Sequence, residues 1–346
     1  MNRQRFCWYE YLFSLAAVGV VMALCVCAGS VNVPLKDTLT AIHCAIWGLP
    51  VPEGISKSII LTVRLPRVIC VALSGAALAL CGAAMQGLLR NPLADGSTLG
   101  VSSGAALGAA LSIVLGVAFP ALPYAGSVVM AMAFAFGSLM LILALAYSLD
   151  AALSTNTIIL VGVIYSMFVS SLMTLLITFA GEKMKTITFW TMGSLASSNM
   201  RQALLLLGSL VVFGGYILLR SRELNAFALS EDTARHLGVD VKKVKLGLMI
   251  ASSALIGVCV SVGGTIAFAG LVVPHMTRLV VGPNHRRLLP ASIFSGGIFL
   301  MLCDLAARML LRPRELPIGV VTSLIGAVVF VAIFYRSRRG GAGHDA

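Results

Sequence analysis

The sequence predicts an all-α integral membrane protein of about ten transmembrane helices, folded as one domain over residues 1–346. Three observations predict it. First, 59% of the residues are hydrophobic and only 11% are charged, whereas soluble domains carry roughly 25% charged residues. Second, the mean hydropathy is +0.98, which leaves too little polar surface to coat a water-soluble globule. Third, the apolar residues arrive in runs of about twenty, the length that crosses a bilayer core of ~30 Å as a helix. Backbone polar groups in lipid must pair within the chain, and the alternating pattern of a membrane barrel is absent, so the runs read as helices.

The expected spans are Leu12–Ser30, Val68–Leu89, Thr98–Phe119, Ala125–Ser148, Thr157–Ala180, Gln202–Leu219, Val244–Gly263, Ile266–Val281, Leu289–Leu311 and Pro317–Tyr335. The first is too long for the apolar core of an ordinary signal peptide, and no A-x-A site follows it, so it reads as a retained helix. The eighth is short and interrupted by Pro274. Ten spans put both termini on one side. With the termini in the cytoplasm, 15 of the 25 Lys and Arg residues fall inside and 10 outside, a bias in the direction of the positive-inside rule. Membrane orientation therefore accounts for the formal charge of +12 without nucleic acid. The arginines that fall outside need a second explanation.

Cys25, Cys27, Cys70, Cys81, Cys259 and Cys303 lie inside apolar runs and read as small hydrophobes, while Cys7 and Cys44 lie outside the clearest spans. No CxxC pair or Cys/His cluster suggests a metal site. Two spans carry small residues at four-residue spacing: Gly75, Ala79, Ala83 and Gly87 on one, and Gly100, Gly104, Gly108, Ser112 and Gly116 on the other. Each ladder forms one smooth stripe that lets a second helix approach closely. Packing within the subunit, a subunit interface and a pore wall all fit such a stripe.

The longest cytoplasmic connection runs from Arg220 to Lys245 and contains LSEDTARHLGV. Ser230 is a good N-cap. Glu231 and Asp232 meet the positive end of the helix dipole, and Gly238 suits the left-handed residue that ends a helix. The segment reads as a helix of about two turns, with Ala234 and Leu237 on one face and Leu229 as a hydrophobic staple. Such a helix suits docking in a partner's groove; lying on the membrane surface is the other reading.

No G-x-x-x-x-G-K-[ST] phosphate loop, H-E-x-x-H or G-x-S-x-G motif is present, so the chain reads as a non-enzyme with no recognisable ATP site. Asp304 is the one clearly intramembrane acid, and Arg308 follows four residues later on the same helix face. Pairing lessens the cost of charge in lipid, and a functional contact is the alternative. A secondary transporter is expected to hold coupling-ion ligands near the midplane, and no such set appears.

Several stretches together resemble the FecCD-type permeases of ABC importers, which carry ferric siderophores, haem and cobalamin. They are VRLPRVICVALSGAALALCGAAMQGLLRNPLADGSTLGVSSGA, LSEDTARHLGV, GGTIAFAGLVVPHMTRLVVGPNHRRLLP and CDLAARMLLRPRELPIGVVTSLIGAVVF. They span most of the chain in the family's order. Met1–Lys57 and the stretch from Phe119 to about Met200 match mainly in hydropathy.

The resemblance implies the ten-helix ABC importer permease fold of the cobalamin and siderophore type, in a bacterial or archaeal cytoplasmic membrane. It implies a second permease subunit, two ATPase subunits that bind ATP and magnesium, and an extracytoplasmic binding protein, with no cofactor in this chain. A ferric siderophore is the cargo expected first. The coupling segment falls on residues 220–245, with Ser230, Glu231, Asp232, Ala234, Arg235, Leu237 and Gly238 as the ATPase contact. Arg64, Arg67 and Arg308 match positions that receive carboxylates of the binding protein, a task suited to guanidinium, with Arg312 and Arg314 extending the patch; interfacial snorkelling is the alternative. The inner gate falls on the connection at Leu149–Asn156, with Ser154, Thr155 and Asn156 as constriction candidates or ordinary loop residues.

Overall fold

The computed structural model describes residues 6–29, 33–50, 58–96, 100–117, 125–151 and 153–341. Among them every regular element is a helix. In chain order these are α1 (Trp8–Cys27), α2 (Leu35–Trp47), α3 (Leu65–Leu88), α4 (Val101–Leu115), α5 (Ala125–Leu149) and α6 (Thr155–Phe179). Then come α7 (Met184–Thr191), α8 (Met200–Ser209), α9 (Gly215–Leu219), α10 (Ser221–Leu229) and α11 (Glu231–His236). The last four are α12 (Val241–Gly263), α13 (Ala269–Val281), α14 (His285–Met309) and α15 (Ile318–Gly341). A π-helical stretch, Leu210–Gly214, joins α8 to α9.

Among the described residues seven helices are long and apolar enough to cross a membrane, and three shorter apolar ones, Val101–Leu115, Ala269–Val281 and Ile318–Ala332, fall on the third, eighth and tenth expected spans. Each expected span meets a helix. The C-terminal end of the first span and both ends of the third lie outside the described residues.

The second span starts about one helical run earlier than the pattern suggested. A π-helical stretch, Ser58–Arg64, leads directly into α3. Arg64, Pro66 and Arg67 look like a boundary in sequence, yet Pro66 occupies the first helical turn, where its missing N–H costs nothing. The short helices α2 and α7 were not expected.

Burial divides the bundle into two populations. In α3, 83% of the most apolar window is inside the protein, against 72% in α12 and 61% in α14. The same measure is 11% for α1, 22% for α6 and 28% for α5. The first three form the interior, and the others turn apolar side chains such as Phe13, Phe136 and Phe168 outward, as lipid or a second subunit requires.

The small-residue ladders work inside the subunit. A Cβ on Gly75 would run into the carbonyl oxygen of Gly296 on α14, and one on Gly296 would run into that of Gly75. Likewise, Gly104 and Gly108 leave room for Ser138 and the Met130 carbonyl of α5. Since lipid gives little hydrophobic drive, this close backbone approach supplies the packing energy. Pro274 cannot donate to the Gly270 carbonyl within α13. Gln86 of α3 reaches across instead, its Nε2 donating to the carbonyls of Gly270 at 3.5 Å and Leu271 at 3.0 Å.

Candidate coupling site and buried charge network

The predicted short helix is present as α11. The Ser230 hydroxyl accepts from the Thr233 N–H at 2.8 Å. Gly238 closes the helix with φ +82°, and its N–H donates to the Arg235 carbonyl at 2.9 Å. Ala234 packs inward, whereas Leu237 is 66% exposed. Leu229 is exposed too, so the expected staple does not close. Asp232 and Arg235 form an exposed pair at 3.3 Å.

α10 anchors this segment on the bundle. The Asn225 amide donates to Asn284 Oδ1 at 2.9 Å, and Asn225 Oδ1 accepts from the His285 N–H at 2.8 Å. The result is a firmly seated helix pair that leaves Leu229 and Leu237 without apolar cover.

The α5–α6 connection lies beside it. Asp150 Oδ2 accepts from the Ser154 N–H at 2.9 Å, and the hydroxyls of Ser154 and Thr157 lie 2.9 Å apart. Ser154 is therefore held as the N-cap of α6, Thr155 is part-buried and Asn156 is exposed. Ala152 lies outside the described residues. Leu153 is left-handed at φ +52°, a conformation that costs a non-glycine residue ~1–3 kcal/mol and persists only where its surroundings enforce it.

Part of that enforcement comes from Lys245, which the sequence puts at the junction of the basic connection and the seventh expected span. Lys245 is only 2% exposed. Its ammonium donates to the Leu153 carbonyl at 2.6 Å and to Glu231 Oε1 at 2.8 Å. The signal was available: Val241, Val244, Lys245, Leu248, Met249 and Ser252 are all buried on α12, so the lysine sits on the helix's apolar face. Counting it with the charges of the preceding connection hid that.

At the opposite end of α14 the predicted arginines come together, and none of them is free. Arg64, Arg67 and Arg308 are 6%, 7% and 4% exposed. Arg67 donates from Nε and Nη2 to Asp304 Oδ1 at 3.0 and 2.9 Å, and from Nη1 to Glu315 at 2.7 Å. Arg308 pairs with the other oxygen of Asp304 at 2.9 Å, which is the structural pairing expected from the i, i+4 spacing.

The remaining donors close the end of α1. Arg64 donates to the carbonyls of Val26 and Cys27 at 2.8 and 3.0 Å. Arg308 donates to those of Cys25 and Ala28 at 3.0 and 3.1 Å. The last carbonyls of a helix have no internal partner and carry its negative dipole end. Two guanidiniums satisfy them here, on a helix with no basic residue in its own last turn. At its other end α1 is tied by Glu10 to Arg287 of α14 at 2.5 Å. Arg312 and Arg314, just beyond the network, are exposed.

An all-helical bundle with apolar outer helices, packed through small-residue stripes and bearing a capped helix outside it, defines a multi-pass membrane protein. The comparisons with known proteins agree. The chain belongs to the FecCD transport family, whose profile matches residues 16–336. It is 38% identical over 293 residues to the cobalamin import system permease protein BtuC of Halobacterium salinarum, covering 85% of this chain and 77% of that one. It is 35% identical over 291 residues to the molybdate import system permease protein MolB of Haemophilus influenzae, covering 84% of each. An inward-facing structure described as that of a metal-chelate type ABC transporter superposes with a TM-score of 0.82 at 31% identity, covering 95% of this chain and all of that one. Such a protein resides in the inner membrane.

Proposed function

We propose that this chain is the permease subunit of an ABC importer that passes a metal chelate from an extracytoplasmic binding protein to the cytoplasm, with ferric siderophores the first cargo class to test. The observation that carries the reading is α11. A capped helix, held by its own cap and by α10, presents exposed Leu229 and Leu237 outside the bundle in a chain of this family. Docking into an ATPase groove gives those side chains a burial partner. The seven long and three shorter apolar helices serve as ten spans with both termini inside, and two copies pair around a central path. Two ATPase subunits bind below and supply ATP hydrolysis, which this chain does not perform.

The binding protein lands on the far end, where Arg64, Arg67 and Arg308 shape the surface and exposed Arg312 and Arg314 meet its carboxylates. Ser154, Thr155 and Asn156 form the inner constriction. A cobalamin and a molybdate permease among the relatives widen the range of cargo to be tested.

The test is reconstitution with the cognate ATPase and binding protein in proteoliposomes. Labelled ferric siderophore, haem, cobalamin and molybdate are offered in turn. Uptake should require ATP and binding protein together, and the ATPase should co-purify with tagged permease. Uptake driven by an ion gradient without ATP would overturn the assignment.

A further inference from the structure

We infer that Lys245 is the strut that carries movement of α11 to the α5–α6 connection. The inference rests on the reading of α11 as the ATPase contact and of Ser154–Asn156 as the inner gate. One ammonium joins the two: Glu231 is the first residue of α11, and the Leu153 carbonyl immediately precedes Ser154.

Three features suit Lys245 to this task. Its burial means that no water replaces either partner, so the Leu153 carbonyl and the Glu231 carboxylate move with the ammonium or lose a charge-assisted bond. Together with the Leu153 it bonds, Lys245 lines a cavity of about 390 Å³ whose other walls are Ala151, Arg235, Val239, Asp240, Val241 and Lys242. Beside such a space packed side chains transmit little, and a bonded bridge transmits more. Lastly, the bond falls on the carbonyl of Leu153, the one left-handed residue among the described residues of the connection, a strained conformation that persists only where its surroundings enforce it. The neighbouring cations have contacts of their own. Arg235 pairs with Asp232 within α11, Lys243 pairs with Asp240 beside α12, and Lys242 lies over the Tyr147 ring of α5 at 4.7 Å.

The role is positioning, because Lys245 acts through Glu231 and the Leu153 carbonyl. Its test uses the full permease–ATPase complex in membrane vesicles, with a cysteine introduced as Asn156→Cys. The rate of its modification by a membrane-impermeant maleimide is compared with nucleotide absent and with ADP–vanadate trapped, after subtracting the rate of the parent complex. The parent Asn156→Cys complex should show a clear nucleotide-dependent change. In Lys245→Met, assembly with the ATPase should persist while that change shrinks about tenfold, the scale of one lost charge-assisted bond. Glu231→Gln should lose part of it, and Lys245→Arg should restore most.

A purely structural lysine would alter yield and melting without abolishing the nucleotide dependence in the assembled fraction. A full nucleotide response in Lys245→Met overturns the strut. If that variant does not assemble, a full response in Glu231→Gln overturns it instead. The underlying reading fails separately. No response in the parent Asn156→Cys complex, or an unchanged response in Leu237→Asp, removes the gate or the coupling helix and the strut with it. A response lost in Leu237→Asp but kept in Lys245→Met and Glu231→Gln removes the strut alone.

Discussion

The two ends of the bundle handle buried charge in different ways. At the α1–α3–α14 end, Arg67 and Arg308 share two carboxylates, and Arg64 joins the remaining Arg308 donors in closing the carbonyl end of a helix. At the α11–α12 end, one ammonium reaches one carboxylate and one loop carbonyl. The first arrangement is redundant: several bonds must break before any element moves. The second is one buried ammonium held between two short segments, which allows one to follow the other. A transporter needs both kinds of end. One must hold its shape while a partner lands, and the other must yield when a partner pulls.

Breaking the redundant end should have the largest effect on folding. Asp304→Ala leaves Arg67 and Arg308 buried without their shared carboxylate. Removing one partner of a buried ion pair costs ~3–5 kcal/mol, because the remaining charge is uncompensated. The expected outcome is a sharply lowered melting temperature in detergent and loss of most folded protein. Replacing Arg64, Arg67 and Arg308 together by Glu should act in the same way, as a folding defect before any docking defect. An Asp304→Ala protein that melts like the parent would show that the network is not the lock described here.

Breaking the yielding end should spare the fold and abolish the work. Leu237→Asp places a carboxylate on the exposed face of α11 and removes no contact inside the bundle. Transport per ATP should fall by about tenfold or more, the scale of losing an interface anchor, with the melting temperature unchanged. Equal losses of stability in Leu237→Asp and Asp304→Ala would erase the contrast between the ends.

Much of this was legible in the sequence, for reasons that differ by element. Run length put a helix at every expected span, seven of them long enough to cross a membrane among the described residues, because lipid leaves such a run no alternative. The cap of α11 was readable because Ser230, Glu231 and Gly238 act locally. The Asp304–Arg308 pair followed from spacing on one helix. What sequence could not supply was contact between distant segments. Arg67 meets Asp304 and Glu315, and Arg64 meets the α1 carbonyls, only once α1, α3 and α14 pack. Their charge suggested a surface, and the fold buries them. Lys245 was obscured in the same way, since a lysine at the edge of a basic connection looks solvated until Leu153 and Glu231 close over it. Glu315 and the helices α2 and α7 carried no pattern that set them apart from ordinary connections.

The smallest effect should come from the exposed arginines beside the lock, and it sharpens the comparison within one end. Arg312 and Arg314 lie just past α14 and have no place in the network. If the binding protein lands here, these are the side chains free to meet its carboxylates, while the buried three fix the shape of the landing surface. Exposed ion pairs contribute about 0–1 kcal/mol each, and charge complementarity acts mainly on encounter rate and register. The double change Arg312→Glu, Arg314→Glu should therefore weaken binding-protein affinity by about threefold to tenfold at low ionic strength. The effect should fade as salt shortens the screening length from ~8 Å at physiological ionic strength to ~3 Å at 1 M. Melting temperature and ATPase assembly should not change. The measurement is affinity of the binding protein for the reconstituted transporter across a salt series, with Arg64→Ala beside it. Arg64→Ala should lower the melting temperature and show little salt dependence, because its bonds to Val26 and Cys27 are screened by protein rather than by water. Salt-insensitive affinity in the double variant would place the landing surface elsewhere and leave this end of the molecule with the structural role alone.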